Sequence, residues 1–315
     1  MPTSPALTIA PYRWKSADAP PAVKLRFTRP MAMTTALLSA AGTVLYALLG
    51  EPHNLQVQEV PVELPGWAAD VAPARVVLLA DLHASRTDGA WVDEQVRAAI
   101  ALKPEAVILL GDYHKGADDA RNMPMTELAR RLAPLREHCP VYYILGNHDL
   151  HARANRVKQP FNQQGFTCVE TEDAQLQFAN GCRALLRGFR FRLEQLSPGP
   201  QRKRFAPQAM PADQPLIVAA HSPMHFMRYE LGGELVVSGH THGGQVCWPG
   251  GKPVYSPGIW SADMLQAGLH PGKTEGQQIY ITRGTGTSSF PVRIFCPPEL
   301  TLLLLKGSGQ PLKRS

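Results

Sequence analysis

The sequence predicts a layered α/β protein, and three observations carry that expectation. After Gly50, short aliphatic or β-branched runs alternate with longer polar, helix-compatible stretches, as a sheet covered by helices requires. Five of those runs end in Asp, His or Asn, the position at which open α/β sheets carry their ligand sites. At 315 residues and 44% hydrophobic content the chain is long enough to bury a full core. Its net charge of +6 favours anionic partners. No C-x-x-C pair, aromatic RNP-like run or heptad series accompanies that charge, so no nucleic acid is expected.

The elements follow in order. Residues 1–30, rich in Pro and Ala, read as a disordered segment ending in the basic stretch "KLRFTRP", with Lys24, Arg26 and Arg29. Residues 31–50, "MAMTTALLSAAGTVLYALLG", carry no charge, and a spanning helix needs about 20 predominantly apolar residues. An uncleaved transmembrane signal anchor is the first reading, a cleaved signal the second and a buried soluble helix the third. Basic residues before the run and Glu51 after it orient the N-terminus to the cytoplasm and the rest of the chain outside. The absence of an Arg-Arg pair before the run argues against twin-arginine export. The expected location is therefore the cell inner membrane, single-pass, with residues 51–306 as one extracytoplasmic α/β domain and 307–315 as a tail.

Within that domain "RVVLLA" runs into Asp81-Leu82-His83 and "AVILLG" into Asp112. "VYYILG" runs into Asn147-His148-Asp149, "PLIVAA" into His221, and "ELVVSG" into His240-Thr241-His242. On a strand, residues i and i+2 share a face, so Asp81 and His83 are expected to bite one cation, and His240 and His242 to lean toward one site or straddle two. Gly111, Gly146 and Gly239 precede candidate ligands, where the missing side chain permits crowding. Mixed Asp, His and Asn ligation suits Mn, Fe or Zn better than Ca or Mg. Seven candidates, Asp81, His83, Asp112, Asn147, His221, His240 and His242, exceed what one ion needs and suit two divalent or trivalent ions sharing Asp112.

In sequence order, "DLH", "GDY", "GNHD", "AAHSP" and "SGHTHGGQ" resemble the blocks of the calcineurin-like metallophosphoesterase superfamily over roughly residues 70–305. "GHTHGGQ" followed by "YITRGTGTSSFPVRIFCPPELTLLLL" is similar to its YkuE/YaeI-like phosphodiesterase branch. The resemblance implies a four-layer α/β/β/α sandwich with two metals at the strand ends. It implies that Asp81, His83, Asp112 and His242 hold one metal, and Asp112, Asn147, His221 and His240 the other. His148 would face the substrate as the catalytic group, stabilising the transition state and protonating the leaving oxygen. Asp149 is read as orienting the loop rather than as a ligand.

What the resemblance implies is a metal-dependent phosphohydrolase cleaving phosphodiester or pyrophosphate bonds by in-line attack of a metal-bridging hydroxide, on a phosphorylated lipid, envelope precursor or small molecule. An alternative is a UDP-2,3-diacylglucosamine diphosphatase of lipid A synthesis, whose cytoplasmic substrate conflicts with the orientation above. An alternative of another class is an inactive envelope-binding scaffold, whose mark would be loss of a motif residue; none is missing.

The remaining features are weaker signals. His114 departs from the branch pattern and reads equally as a substrate or metal contact or as a solvated loop histidine. Arg183, Arg187, Arg190, Arg192, Arg202, Lys203 and Arg204 read as a solvated loop, with a collar for anionic headgroups as the sharper alternative. Met224, Phe226 and Met227 read as core, or as an apolar wall beside the metals. "RGTGTSSFP", Arg283 to Pro291, lacks the P-loop Lys and reads as a structural loop on the rim. Cys168 and Cys182 flank a stretch that could be a hairpin, where a bridge is conceivable, although isolated thiols are the favoured reading for all five cysteines.

Overall fold

The computed structural model describes residues 38–115, 120–151, 154–191, 210–229, 231–254, 266–288 and 290–312. The chain divides into two units, Met1–Thr43 and Val44–Ser315. Of the apolar run, residues 31–37 lie outside the described residues, as does the expected basic segment before them. Residues 38–45 are α-helical and pass into a π-helical turn, Tyr46–Gly50. Among the described residues no helix is long and apolar enough to cross a membrane.

Two six-stranded sheets form the larger unit. The first contains β1 (Gln56–Leu64), β2 (Ala74–Leu79), β3 (Ala106–Leu109), β4 (Val141–Tyr143), β5 (Thr167–Cys168) and β12 (Glu299–Gly307). Its order is β1-β12-β2-β3-β4-β5, with β2 to β5 parallel and β12 antiparallel to β2. The second contains β6 (Ala174–Gln177), β7 (Arg183–Phe189), β8 (Leu216–Ala220), β9 (Leu235–Ser238), β10 (Gly268–Pro271) and β11 (Gln278–Ile281). Its order is β10-β11-β9-β8-β7-β6, with β7, β8, β9 and β11 mutually parallel.

The alternation along each strand explains how the layers stack. Val76, Leu78, Ile108 and Leu110 of the first sheet join Leu186, Ile217, Ala219 and Val237 of the second in one core between the sheets. Their neighbours Val77, Leu79, Val107 and Leu109 point the other way, into a second core. Helices α1 (Gly89–Ala101), α2 (Met125–Leu132), α3 (Pro134–His138) and α5 (Ala154–Gln163) cover it with residues such as Val92, Val96, Leu128, Leu132, Leu135 and Phe161. Central strands buried on both faces read as continuous apolar runs rather than alternating ones, which is why β2, β3, β8 and β9 were legible. On the far side of the second sheet, Val218, Ala220, Val236 and Ile279 pack against Phe226 of the short helix α6 (Pro223–Arg228). Helix α4 (Asn147–His151) follows β4 after Ile144, Leu145 and Gly146.

The loop reading of the basic stretch is corrected, while the core reading of Phe226 and the isolated-thiol reading of the cysteines hold. Arg183 and Arg187 belong to strand β7, not to a loop, and Arg187 pairs with Asp173 through both nitrogens of its fork. Arg183 and Arg190 lie 3.5 and 3.9 Å from the Asp213 and Glu170 carboxylates, so three of the seven basic residues face carboxylates; Arg192, Arg202, Lys203 and Arg204 lie outside the described residues. Phe226 is core, with Met224 and Met227 packed on it at the outer face of the second sheet. Cys168 sits in β5 of the first sheet while Cys182 precedes β7 of the second, and both are free thiols.

Candidate metal centre

The carboxyl ends of β2, β3, β4, β8 and β9 deliver their motif residues to one rim, where three groups of ligand atoms lie within mutual reach. These are Asp81, His83 and His242; His83, Asp112 and His148; and Asp112, His221 and His240. Asn147 joins the last through its Oδ1, 3.1 Å from His221 Nε2. Asp112 Oδ2 stands 3.6 Å from His83 Nε2 and 3.3 Å from His221 Nε2, between the two ends of the cluster.

Strand pleat, the expected geometry, does not place D-x-H and H-x-H. Asp81 and His83 lie beyond β2 rather than in it, and the left-handed backbone at Asp81 (φ 54°) and His83 (φ 43°) turns both inward. Asp112 (φ 56°), His240 (φ 71°) and His242 (φ 51°) share that conformation. Five of the eight non-glycine residues with positive φ among the described residues are thus candidate ligands. Such backbone is unfavourable for L-residues and persists where the surroundings over-determine it. Here the turns are laced to one another: Asp81 N–H donates to Gly111 O, His83 N–H to Asp112 O, and His240 N–H to the Asp81 carboxylate at 2.9 Å. The two histidines of H-x-H go to different groups, His242 with Asp81 and His83, His240 with Asp112 and His221.

Crowding accounts for two glycines. A Cβ at Gly146 would strike the Asp112 carboxylate, and one at Gly239 the Asp81 carboxylate. Asp149 accepts from the N–H groups of Asp112 (2.7 Å), Tyr113 (2.9 Å) and Gly146 (2.8 Å), so its buried carboxylate pins the two glycine turns together. His148 keeps 28% of its side chain exposed; its N–H donates to Asp112 Oδ1, and its Nε2 lies 4.0 Å from Asp112 Oδ2.

The protonation pattern fits a cation. His221 Nδ1 faces the Leu110 carbonyl at 2.7 Å and His83 Nδ1 the His114 carbonyl at 2.8 Å; each donates there, which leaves Nε2 of both rings aimed at Asp112. Around His221 Nε2 stand Asp112 Oδ2, Asn147 Oδ1 and His240 Nδ1 at 3.1–3.3 Å, all acceptors when His240 is protonated on its other nitrogen. Burial opposes a proton on His221, but the Asp112 carboxylate overcomes burial and holds His221 up at about 9. Burial likewise opposes the charge of Asp112, yet the His221 imidazole keeps that carboxyl well below its usual range. At the other end, burial pushes the Asp81 carboxyl up to about 7 and the His83 imidazole down to about 4. His83 Nε2 and His242 Nε2 face each other at 3.1 Å, and His242 Nδ1 is buried with no hydrogen-bond partner. Facing imidazole lone pairs beside carboxylates are poorly served by one proton and well served by a divalent ion.

The surroundings contain groups that sequence reasoning misjudged or missed. His114 is not solvated and lies outside the three ligand groups: it is buried, its Nε2 donates to Met123 O, and its own carbonyl orients His83. Burial also pushes its imidazole down. Arg293 was not singled out, yet it is fully buried and its guanidinium donates to the carbonyls of Arg283, Gly284, Gly286 and Cys296, with His242 O at 3.5 Å. It thereby ties the "RGTGTSS" loop to the His242 turn. That loop in turn abuts the Asp81 turn, with Thr285 N–H donating to Ala80 O and Gly286 N–H to Asp81 O. The partners of Arg293 are carbonyls, which no residue-type pattern reveals.

Comparison with known proteins gives this geometry its context. The calcineurin-like phosphoesterase family profile matches residues 74–244, which spans β2 to the His242 turn. The chain belongs to the calcineurin-like phosphoesterase family. It is similar to phosphodiesterase YaeI of Escherichia coli, 28% identical over 286 residues, covering 89% of this chain and 98% of that one. It is also similar to the metallophosphoesterase YkuE of Bacillus subtilis, 25% identical, covering 88% and 95%. UDP-2,3-diacylglucosamine pyrophosphatase LpxG of Chlamydia trachomatis is 24% identical, covering 86% and 95%. Membership makes the chain a metal-dependent phosphoric ester hydrolase, and the clustered Asp and His side chains are the groups that could hold its metal ions.

Proposed function

We propose that this calcineurin-like phosphoesterase is a membrane-anchored, dinuclear hydrolase of phosphodiester or pyrophosphate bonds, with Mn, Fe or Zn as its metals. In that reading Asp81, His83, Asp112 and His242 hold one ion, and Asp112, Asn147, His221 and His240 the other. The observation that carries it is Asp112, whose single carboxylate faces the imidazoles of both end groups. Divalent ions bound there supply Lewis acidity toward phosphoryl oxygens and lower the pKa of a coordinated water.

The chain's own groups do the remaining work. Asp149 fixes the two glycine turns so that Asp112 and Asn147 present their side chains to the same cleft. His148, half-exposed beside Asp112, is the catalytic group: it meets the phosphoryl oxygens of an incoming ester and donates a proton to the leaving oxygen. The Leu110 and His114 carbonyls hold His221 and His83 in the tautomer that leaves Nε2 free.

The uncharged run at residues 31–50, preceded by Lys24, Arg26 and Arg29, supports a single-pass anchor in the inner membrane with the catalytic unit outside. The domain plan is a basic segment 1–30, an anchor 31–50, a catalytic domain 51–306 and a tail 307–315. A phosphorylated lipid or envelope precursor suits an anchored hydrolase, and the likeness to LpxG makes a lipid-linked pyrophosphate the second substrate to test. The test is hydrolysis of a bis-aryl phosphate, of phosphomonoesters and of lipid pyrophosphates by the full chain, before and after EDTA and after Mn addition. Activity indifferent to chelator and to Asp112→Asn would end the reading.

A further inference from the structure

Large apolar side chains are exposed on three hydrogen-bonded segments beside the Asp–His cluster. The turn that begins with His242 leads into Val246 and Trp248, exposed by 36% and 62%, and the returning strand of that hairpin carries Val254, exposed by 50%. Val254 N–H donates to Val246 O and Trp248 N–H to Lys252 O, so the three form one short β-hairpin. A second segment lies along it: Ile294 N–H donates to Gln245 O, Cys247 N–H to Ile294 O, and Gln245 Nε2 to Phe290 O. It carries Phe290 and Phe295, exposed by 76% and 52%. Arg293 N–H then donates to Ala47 O, and Cys296 N–H to the Glu51 carboxylate, which ties the same segment to the end of the uncharged run. Within the larger unit, residues 44–50 expose Val44, Leu45, Tyr46, Leu48 and Leu49. Across the three segments the only charged groups are Lys252 and the buried Arg293.

We propose that Val246, Trp248, Val254, Phe290 and Phe295, continuous with exposed residues 44–50, form a face that seats in the headgroup–acyl boundary of a phospholipid bilayer and holds the Asp–His cluster at the lipid surface. The inference rests on the reading of residues 31–50 as an anchor. Contiguous apolar surface of this kind marks an interaction site, and the identity of the occupant comes from continuity. The face is hydrogen-bonded to the end of a 20-residue uncharged run whose upstream flank carries Lys24, Arg26 and Arg29. Its composition, one Trp, two Phe, aliphatic residues and one Lys, is that of side chains which settle where acyl chains meet headgroups. The consequence is an orientation: the seated segments begin at the His242 turn and run past the buried Arg293, so the rim that carries the cluster is held beside the membrane surface.

The test uses the full chain in phosphatidylcholine–phosphatidylglycerol vesicles whose lipids carry bromine at defined acyl positions. Tryptophan emission is compared between the native chain and Trp248→Phe, which keeps the apolar face and, as the control for folding, keeps hydrolysis of a soluble bis-aryl phosphate. The expected result is a quenched component, strongest for bromine near the headgroup end, that is present in the native chain and absent from Trp248→Phe. Vesicle-bound chains with equal quenching in both would overturn the seated face while leaving the anchor intact. A chain that stays in the supernatant would overturn the anchor and the face together. Self-association that disappears in a Trp248→Ser, Phe290→Ser, Phe295→Ser variant would make a second copy the occupant and would likewise overturn the proposal.

Discussion

The two ends of the Asp–His cluster are built from the same residue types and differ in enclosure. Asp81, His83 and His242 are all buried, with Asp81 raised by burial and His242 Nδ1 unpartnered. At the Asp112, His221 and His240 end, His240 and the adjoining Asn147 are partly exposed, while the partly exposed His148 stands within reach of Asp112 and the buried His83. Under the proposed function the more enclosed end would be the one that retains its ion, and the more open end the one with room for a phosphoryl group. What separates them in sequence is a single residue, Thr241, between two histidines that go opposite ways.

The sharpest way to break this comparison is at the carboxylate the ends share. Asp112→Asn should lower diester hydrolysis by more than about 10³-fold, since it weakens both ends at once. A near-native rate, with metal content measured alongside, would mean that the ends act independently. His148→Ala should lower kcat by roughly 10²–10³-fold with metal content unchanged, because the role proposed for His148 is toward the substrate and not the metal. Parallel loss of metal would instead make it a ligand.

Enclosure itself predicts that a chelator removes metal in two kinetic phases, with His240→Ala accelerating the fast one and His242→Ala the slow one. A single phase shared by both variants would erase the distinction. Protons sharpen the same contrast. His221 at about 9 is protonated at pH 7 in the metal-free chain, and Asp81 at about 7 is half protonated, so metal must displace those protons. Affinity should therefore rise with pH from 7 toward 9 and flatten above it, with proton release seen by calorimetry in buffers of different ionisation heat. A pH-independent affinity would remove His221 from the ligand set. Smallest in effect, Asp149→Asn should destabilise the fold by about 1–3 kcal/mol in denaturant unfolding, because an amide cannot accept from all three N–H groups its carboxylate serves.

Much of this was legible because burial on both faces turns β2, β3, β8 and β9 into unbroken apolar runs, and the runs stop where polar ligands begin. The seven candidate ligands and His148 do converge on one rim. The sequence could not say how they get there. A pleated-strand geometry was expected for Asp81 and His83, and left-handed turns are used instead. Which end each histidine of "GHTH" serves depends on the position of the second sheet relative to the first, a tertiary fact. His114 and Arg293 escaped for a related reason: their partners are backbone carbonyls, which every residue carries. The basic stretch misled because Arg187 reads as surface charge until Asp173, fourteen positions earlier, is folded against it.

Strand β12 has a consequence for how the molecule is made. It follows every other described strand in the chain, yet it sits between β1 and β2, pairing with both. Until a ribosome has synthesised it, β1 has no neighbour and β2 offers a bare edge beside the turn of Asp81. Closure across such sequence distances is slow. The first sheet, with the Asp81 turn beside β2, therefore closes only after the last described strand has been made.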